Sequence, residues 1–234
     1  MNQIDQILEN IIKTTSSEIL EERVGELPLI AAQIEGKGFS DIANTLSSKS
    51  NITRLGDGHF GVAFSGKSGG YVLKVTRDDE AYHKFYLISL QNQNNPIFPK
   101  FVSDVFREWK APNGQIIRSY GIEKLIVNVT ENVKYLQSIF VGGQNKALWD
   151  IYGLQMIMEQ FWETGPDSEE FIAISHNMNE SDRDNLIKLS EIIDDNLGIN
   201  NKIILDTHKE NFGFRPNKEL VIFDPVSSID SSPL

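Results

Sequence analysis

The chain has 234 residues, of which 40% are hydrophobic and 24% charged, and its formal net charge is -11. These values are typical of a globular protein with one or two small domains, and the absence of cysteine excludes disulfide frameworks, thiolate zinc sites and cysteine catalysis. The acidic balance argues against direct nucleic-acid binding. We find neither an apolar run long enough for a membrane span nor a signal peptide, and expect a cytoplasmic protein with no membrane partner.

Residues 1–50 form a region of predicted helices. The first has apolar residues at helical spacing, namely Ile4, Ile7, Leu8, Ile11 and Ile12. A second helix is expected after Ser16 or Ser17, and a third contains Leu29, Ile30 and Ile34. A fourth runs through Leu46 with Asp41 as its N-cap.

Residues 51–125 change to the patterns of a small antiparallel sheet with one inserted helix. Strands are predicted for Tyr71–Val75, Phe101–Trp109 and Gln115–Ile126, and the helix for Glu80–Leu90. A Pro-Asn-Gly turn at residues 112–114 separates the last two strands and predicts a hairpin.

Residues 126–234 return to helices and end in short strands. Helices are predicted for Lys146–Trp162 and for Ser181–Leu197, with Ser181 as the N-cap and Gly198 at the end of the second helix. Its buried face should carry Leu186, Leu189 or Ser190, Ile193 and Leu197. The strands Ile203–Leu205 and Leu220–Phe223 are expected to pair around a loop. The order of elements predicts an α+β fold.

A glycine-rich segment precedes the predicted strand Tyr71–Val75. Gly56, Gly58 and Gly61 make a G-x-G-x-x-G pattern, with Phe60 before the third glycine. Glycines let a backbone approach phosphate groups closely. The pattern alone also fits dinucleotide-binding proteins, but those require a helix after the glycines. Here β-type sequence follows, which favours a loop between two strands that covers ATP phosphates.

Lys74 lies in an apolar strand, where a lysine is costly to bury without a partner. It is either a solvent-facing lysine of an edge strand or the lysine that contacts the α- and β-phosphates of ATP. Glu80, at the start of the next helix, is its candidate partner, and Asp79 is a poorer substitute.

Three polar residues near the end of the sequence have the spacing of a catalytic loop and a metal site. Asp206 and Asn211 stand five residues apart, and Asp224 ends an apolar strand thirteen residues later. Each also has an explanation without function: Asp206 and Asn211 could belong to a polar turn, and Asp224 to an Asp-Pro turn. Their order after the glycines and Lys74 favours a protein-kinase-like fold.

The segments 55–65, 72–75, 206–214 and 221–228 resemble the early serine/threonine protein kinases of T-seven-like short-tailed phages. The resemblance implies a two-lobed fold, with a helical region at 1–50, an N-lobe at 51–125 and a reduced C-lobe at 126–234. It implies ATP and magnesium as cofactors and host bacterial proteins, including transcription machinery, as substrates. The protein would then act in the cytoplasm of an infected bacterium.

The sequence departs from common protein kinases at several positions. Ile204 and Leu205 replace the usual His-Arg before the catalytic aspartate, and Pro225 replaces the phenylalanine after the metal-binding one. His208 stands where most protein kinases have lysine, a pattern similar to aminoglycoside phosphotransferases and HipA-type kinases. Ten residues follow Asp224, so we expect no ordinary activation segment.

The resemblance assigns a role to each candidate. Asp206 would position the acceptor hydroxyl, Asn211 and Asp224 would bind magnesium, and His208 would support the loop or contact the γ-phosphate. The backbone from Glu123 to Leu125 would bind adenine. Possible autophosphorylation sites are Ser65, Ser227, Ser228, Ser231 and Ser232. The alternatives are a small-molecule phosphotransferase and a non-catalytic protein that inhibits a host factor by binding.

Overall fold

The computed structural model describes residues 25–57, 60–66, 70–139, 146–197 and 203–228. The helices predicted before residue 25, and also Gly58, Gly198, Ser231 and Ser232, lie outside these ranges. The chain divides into two compact units, one made of Met1–Asp78 with Phe101–Lys124 and the other of Asp79–Lys100 with Leu125–Leu234. Residues 79–100, placed in the N-lobe by sequence, are thus grouped with the second unit; the three regions assigned from sequence remain a prediction.

The first unit contains a five-stranded antiparallel sheet. Its strands lie in the order β1-β2-β3-β5-β4, and their bounds are Ile52–Asp57 (β1), Gly61–Gly66 (β2), Tyr71–Arg77 (β3), Phe101–Lys110 (β4) and Ile116–Glu123 (β5). The predicted hairpin joins β4 to β5, where Gly114 adopts a φ of 89° and donates its N–H to the Ala111 carbonyl over 2.9 Å. Only glycine adopts that conformation readily, which explains the turn signal.

Two helices pack against this sheet, α1 (Leu27–Ile34) against β3 and β4, and α2 (Phe39–Ser47) against β1. Their apolar faces and the sheet form one buried cluster that includes Ile34, Leu46 and Leu73. The prediction that Asp41 caps α2 is wrong, because the N-cap is Gly38 and Asp41 lies in the first turn. There its carboxylate still favours the positive end of the helix dipole.

Five helices of the described second unit are α3 (Glu80–Gln91), α4 (Val129–Ile139), α5 (Lys146–Thr164), α6 (Glu169–Ser175) and α7 (Glu180–Leu197). Helix α5 packs against α4, α6 and α7, and α3 packs against α7. The predicted buried face of α7 is confirmed, since the residues named for it are all buried. Helices α4 and α6 were not predicted as elements.

The N-cap predicted for α7 is wrong by two residues. Asn179 accepts the backbone N–H of Asp182 through its Oδ1 oxygen at 2.8 Å, whereas Ser181 lies inside the helix. Both residue types favour N-caps, so composition alone could not choose between them.

Four short strands complete the second unit as two separate antiparallel pairs. Strand β6 (Ile203–Leu205) pairs with β9 (Val226–Ser228), and β7 (Phe212–Phe214) pairs with β8 (Leu220–Ile222). The prediction that the strands now called β6 and β8 pair with each other is therefore wrong. The actual partners, β9 and β7, have three residues each, which is too short for an apolar periodicity that would predict a strand.

The predicted α+β class is confirmed, and so is the small antiparallel sheet with one inserted helix. The first unit has the antiparallel sheet, and the one helix between β3 and β4 is the predicted insertion. The second unit is mainly helical, with its short strands around residues 206–211 and 224. No helix within the described ranges is long and apolar enough to cross a membrane.

Candidate active site

The described glycines of the glycine-rich segment lie at strand ends, Gly56 near the end of β1 and Gly61 at the start of β2. A Cβ atom on Gly56 would meet nothing within 4 Å, whereas one on Gly61 would lie 3.2 Å from the Val75 carbonyl oxygen and 3.5 Å from Lys74 Cε. Neither glycine has a positive φ. The missing side chain at Gly61 therefore serves packing against β3, while a side chain at Gly56 would meet no atom of the described residues within 4 Å.

Strand pairing fixes the place of Lys74 beside this segment. Lys74 lies opposite Ala63 on β2 and opposite Tyr120 on β5, in the middle of the sheet. Phe60 accepts the Arg77 N–H through its carbonyl at 2.8 Å, so the end of the glycine-rich segment is tied to β3 as well. The first unit thus holds the end of the glycine-rich segment against β3, and phosphate contacts by Lys74, Gly61 and Phe60 stay a prediction.

Glu80 and Asp79 open helix α3 in the second unit and differ in what they do. Asp79 is buried and is the N-cap, because its Oδ1 accepts the Tyr82 N–H at 3.0 Å. Glu80 is exposed in the first turn of the same helix. Asp79 therefore has a structural role as the N-cap, and the partner of Lys74, whether Glu80 or Asp79, stays a prediction.

The segment after β6 places His208 against Asp206. His208 Nε2 lies 3.3 Å from Asp206 Oδ1, and Nδ1 accepts the backbone N–H of Glu210 at 3.2 Å. The same Nε2 also lies 3.3 Å from Asn211 Nδ2, so this nitrogen faces both the Asp206 carboxylate and the Asn211 amide. His208 therefore lies beside Asp206, and its role, either to support the loop or to contact the γ-phosphate, stays a prediction.

Asn211 connects Asp206 to Asp224. Its Nδ2 donates to the Asp206 carbonyl at 2.6 Å, and its own carbonyl accepts the N–H groups of Phe223 and Asp224 at 3.0 and 3.4 Å. The Asp206 N–H donates to the Pro225 carbonyl at 2.8 Å. Main-chain bonds thus hold the predicted catalytic and metal-binding residues in one cluster within the second unit.

Asn211 and Asp224 fit a magnesium ion in the chemistry of their donor atoms. Because Asn211 Nδ2 binds the Asp206 carbonyl, its Oδ1 is the atom left to ligate a cation, and Asp224 offers a carboxylate. Magnesium is usually held by one or two such oxygen ligands together with substrate phosphates. Within the described ranges, no three His, Cys, Asp or Glu side chains form a metal-binding group, so a site built from protein carboxylates alone is not found there.

The segment predicted to bind adenine joins β5 to the second unit. Glu123 pairs with Tyr71 at the end of β5, and the Lys124 N–H donates to the Gly70 carbonyl at 2.5 Å. Further along, Ile126 and Phe214 exchange backbone hydrogen bonds of 2.9 and 3.1 Å. The Lys124 amide is therefore engaged within the protein, and adenine contacts by Glu123 and Leu125 stay predictions.

Two residues outside the predicted motifs contact the loop. The Tyr152 ring meets the His208 ring edge-on at 6.5 Å, and Asn132 donates to carbonyls of residues 209 and 212. Tyr152 has non-helical torsions inside α5, for which the sequence gives no sign except the following glycine. Asn132 had a signal, because it shares the helix face of Leu136 and Ile139 and is polar among apolar residues.

Comparison with solved structures finds distant similarity to phosphotransferases and kinase domains. The chain is 15% identical to a spectinomycin phosphotransferase, APH(9)-Ia, solved with ADP and spectinomycin, over 76% of this chain and 64% of that one, with a TM-score of 0.32. The chain is 14% identical to an aminoglycoside phosphotransferase from Alicyclobacillus acidocaldarius, over 77% of this chain and 64% of that one, with a TM-score of 0.32. It is 11% identical to the BubR1 kinase domain, over 88% of this chain and 61% of that one, with a TM-score of 0.33.

The chain thus spans less than two thirds of the length of these structures. No family model matches the sequence. No curated protein matches it either. At such low scores the similarity carries no argument about activity, and the function proposed next depends on the chain's own residues.

Proposed function

We propose that this protein is an ATP- and magnesium-dependent phosphotransferase that acts on serine and threonine hydroxyls of proteins. The observation that carries the proposal is the hydrogen-bonded cluster of Asp206, His208 and Asn211, joined through the Asn211 carbonyl to Asp224. A carboxylate held by a histidine beside an amide and a second carboxylate can orient a hydroxyl and hold a cation.

In the proposed reaction the acceptor oxygen bonds to the γ-phosphorus as the bond to the β,γ-bridging oxygen breaks, and ADP leaves. Asp206 orients the acceptor hydroxyl and takes its proton, which then passes to solvent. Magnesium held by Asn211 and Asp224 would neutralise phosphate charge when bound. Lys74 and the backbone at Gly56, Gly58 and Gly61 would contact the phosphates.

The choice of a protein acceptor rests on the resemblance of the motif segments to early phage kinases, which points to host bacterial proteins. One observation favours a second candidate, a small-molecule acceptor. His208 is bonded to Asp206, and this Asp-x-His-x-x-Asn pattern is similar to that of aminoglycoside phosphotransferases. The two candidates share the same cluster and differ only in the acceptor.

The test is transfer of labelled γ-phosphate from ATP to bacterial lysate proteins with magnesium present. Asp206→Ala and Asp224→Ala are compared with Asp195→Ala, an exposed aspartate of α7 that serves as a matched control. Loss of a positioned acid–base group lowers rates by about 100- to 10,000-fold. We expect labelled bands in wild type and Asp195→Ala that disappear in the other two variants.

Other outcomes discriminate among the candidates. Absence of labelled protein, combined with ADP release that depends on an added aminoglycoside or a similar small alcohol, would favour the small-molecule reaction. Bands that persist in Asp206→Ala would contradict the role of that residue. If neither transfer nor ATP binding is detected in wild type, the non-catalytic binder becomes the better hypothesis.

A further inference from the structure

Asn132 is a buried polar residue in the first turns of α4, and the proposed function leaves it without a role. Its side chain has no exposed surface, and its Nδ2 donates to the Lys209 carbonyl at 2.7 Å and to the Phe212 carbonyl at 2.8 Å. These carbonyls belong to the residues that flank Glu210 and Asn211. Both hydrogens of one amide group therefore bind the loop that carries the candidate catalytic residues.

The chemistry of the contact fixes the orientation of this amide. Exchanging its nitrogen and oxygen would place Oδ1 against two carbonyl oxygens, which repel it. In the orientation present, Oδ1 is buried and makes no hydrogen bond with the described residues. A buried acceptor without a partner is unfavourable, so packing alone would be served better by an apolar side chain. The two bonds to the loop are what an asparagine adds at this position.

The same loop is attached a second time, through the kink of α5. Tyr152 has φ of -115° and ψ of 17°, and the Ile151 carbonyl just before it accepts the Lys209 N–H at 2.8 Å. The non-helical torsions turn this carbonyl away from the helix, so that it can bind the loop. Both main-chain polar groups of Lys209 are thus bound, one to α4 and the other to α5.

A glycine lets the two helices approach each other at this place. A Cβ on Gly153 would lie 3.1 Å from Leu136 Cδ2 and 3.3 Å from the Trp149 ring. Leu136 follows Asn132 by one helical turn. The close approach of α4 and α5 therefore brings the Asn132 side chain and the Ile151 carbonyl to the same loop.

We propose that Asn132 is a positioning residue that keeps Asp206 and Asn211 in the arrangement needed for phosphoryl transfer. This inference rests on the proposed function. Asn211 is one of the two residues between the carbonyls that Asn132 binds, and its side chain in turn binds the Asp206 carbonyl at 2.6 Å. Without the Asn132 amide, the loop would keep its own internal bonds but lose its attachment to α4.

The decisive variant is Asn132→Asp, which has nearly the same shape and places an oxygen against the two loop carbonyls. Asn132→Ala is the second variant, since it removes the donors without adding repulsion. The matched control is Asn185→Asp on α7, where a half-buried asparagine donates to Ser181 Oγ over a long 3.4 Å, far from the loop in sequence. Hydrogen exchange of the backbone amides and the kinetic constants are measured for all three full-length proteins.

We expect amide exchange over residues 206–214 to rise by about tenfold or more in both Asn132 variants, with no change in the strands of the first unit. A loop displaced by about 1 Å lowers turnover by roughly 100-fold. We therefore expect kcat to fall by about 10- to 100-fold while KM for ATP stays within about threefold. Asn185→Asp should match wild type in both measurements.

Unchanged exchange over residues 206–214 in both variants would overturn the inference. Increased exchange in a protein whose wild type transfers no phosphate would still support the attachment and would count only against the proposed function. If both variants fail to fold, the attachment of the loop to α4 is tested on the wild-type protein alone, by exchange of side-chain amide hydrogens. The side-chain NH2 signals of Asn132 should then persist in D2O for much longer than those of Asn185, and rapid exchange would contradict the proposal.

Discussion

At the scale of single residues, His208 and Asn211 hold different parts of the same aspartate. His208 Nε2 lies 3.3 Å from the Asp206 carboxylate, and Asn211 donates to the main-chain carbonyl of Asp206. A lysine at position 208 would have donors only and could not accept the Glu210 N–H as His208 does. The histidine therefore fixes both the carboxylate and the turn that leads to Asn211, which explains why the spacing of all three residues matters.

Gly56 offers a prediction at this scale, because a side chain there would contact none of the described residues. Gly56→Ala adds a methyl group where nothing lies within 4 Å, so we expect the free energy of unfolding to change by less than about 1 kcal/mol. If ATP phosphates approach this backbone, the methyl group should weaken ATP binding by about tenfold or more. Urea unfolding and calorimetric titration with ATP and magnesium measure the two effects.

Gly121→Ala is the contrasting variant for that experiment. A Cβ on Gly121 would lie 2.9 Å from Val105 Cβ inside the sheet, so this variant should lose about 1–3 kcal/mol of stability. A Gly56→Ala protein that is stable and binds ATP as wild type does would contradict phosphate contact at Gly56. Gly61→Ala is less informative, because the Val75 carbonyl lies only 3.2 Å from the added atom.

At the scale of elements, the sequence predicted those with local signals and missed those defined by distant partners. Helices α3, α5 and α7 and the hairpin of β4 and β5 were found, because apolar periodicity and a turn are local properties. Strands β7 and β9 have three residues each and acquire their identity only by pairing. Pairing of β6 with β9 joins residues more than twenty positions apart, which no short window can reveal.

The candidate site shows the same division. Asp206, Asn211 and Asp224 could be recognised because their spacing along the chain is itself the motif. Asn132 comes from another helix, and its relation to residues 209 and 212 depends on how α4 packs. The bond between Lys209 and Ile151 depends on a kink that begins at Tyr152. Contacts of this kind depend on the tertiary structure. The sequence can therefore show only that a polar residue lies on an apolar helix face, and not which residues it binds.

The start of α3 offers a prediction at the element scale, because Ser228 of β9 takes part in its cap. Ser228 Oγ accepts the Ala81 N–H at 3.2 Å and lies 3.3 Å from Asp79 Oδ1, to which it donates. Asp79→Ala should cost about 0.5–2 kcal/mol as the loss of an N-cap, and Ser228→Ala about 1 kcal/mol. Since they share one hydrogen bond, the costs in the double variant should be non-additive by about 0.5 kcal/mol or more.

Urea unfolding of the two single variants and the double variant measures this coupling. Additive costs would show that Ser228 and Asp79 stabilise α3 independently. The hydroxyl of Ser228 is engaged in this cap, so its modification would first require the cap to open. Its role as an autophosphorylation site remains a prediction that the same Ser228→Ala protein can test by loss of label.

At the scale of the whole molecule, we expect the stability to fall at alkaline pH because of a buried tyrosine. The Tyr135 hydroxyl donates to Asp182 Oδ2 at 2.9 Å, and burial together with the charge of Asp182 raises the pKa of Tyr135 far above its usual range. In the unfolded chain a tyrosine ionises near pH 10. Above that pH the unfolded state releases a proton that the folded state retains, so the free energy of unfolding decreases as the pH rises.

Tyr135→Phe isolates this contribution from every other group that titrates in the same range. At pH 8 the wild type should be more stable than the variant by about 1–2 kcal/mol, because the variant lacks the hydrogen bond to a carboxylate. Above pH 10 the advantage should shrink by up to about 1.4 kcal/mol per pH unit, since only the wild-type chain gains from ionising this tyrosine on unfolding. Urea unfolding at half-unit steps from about pH 8 to pH 11 measures the difference. A difference that stays constant over that interval would mean that Tyr135 ionises equally well in the folded protein, and the contact with Asp182 would then have no influence on its proton.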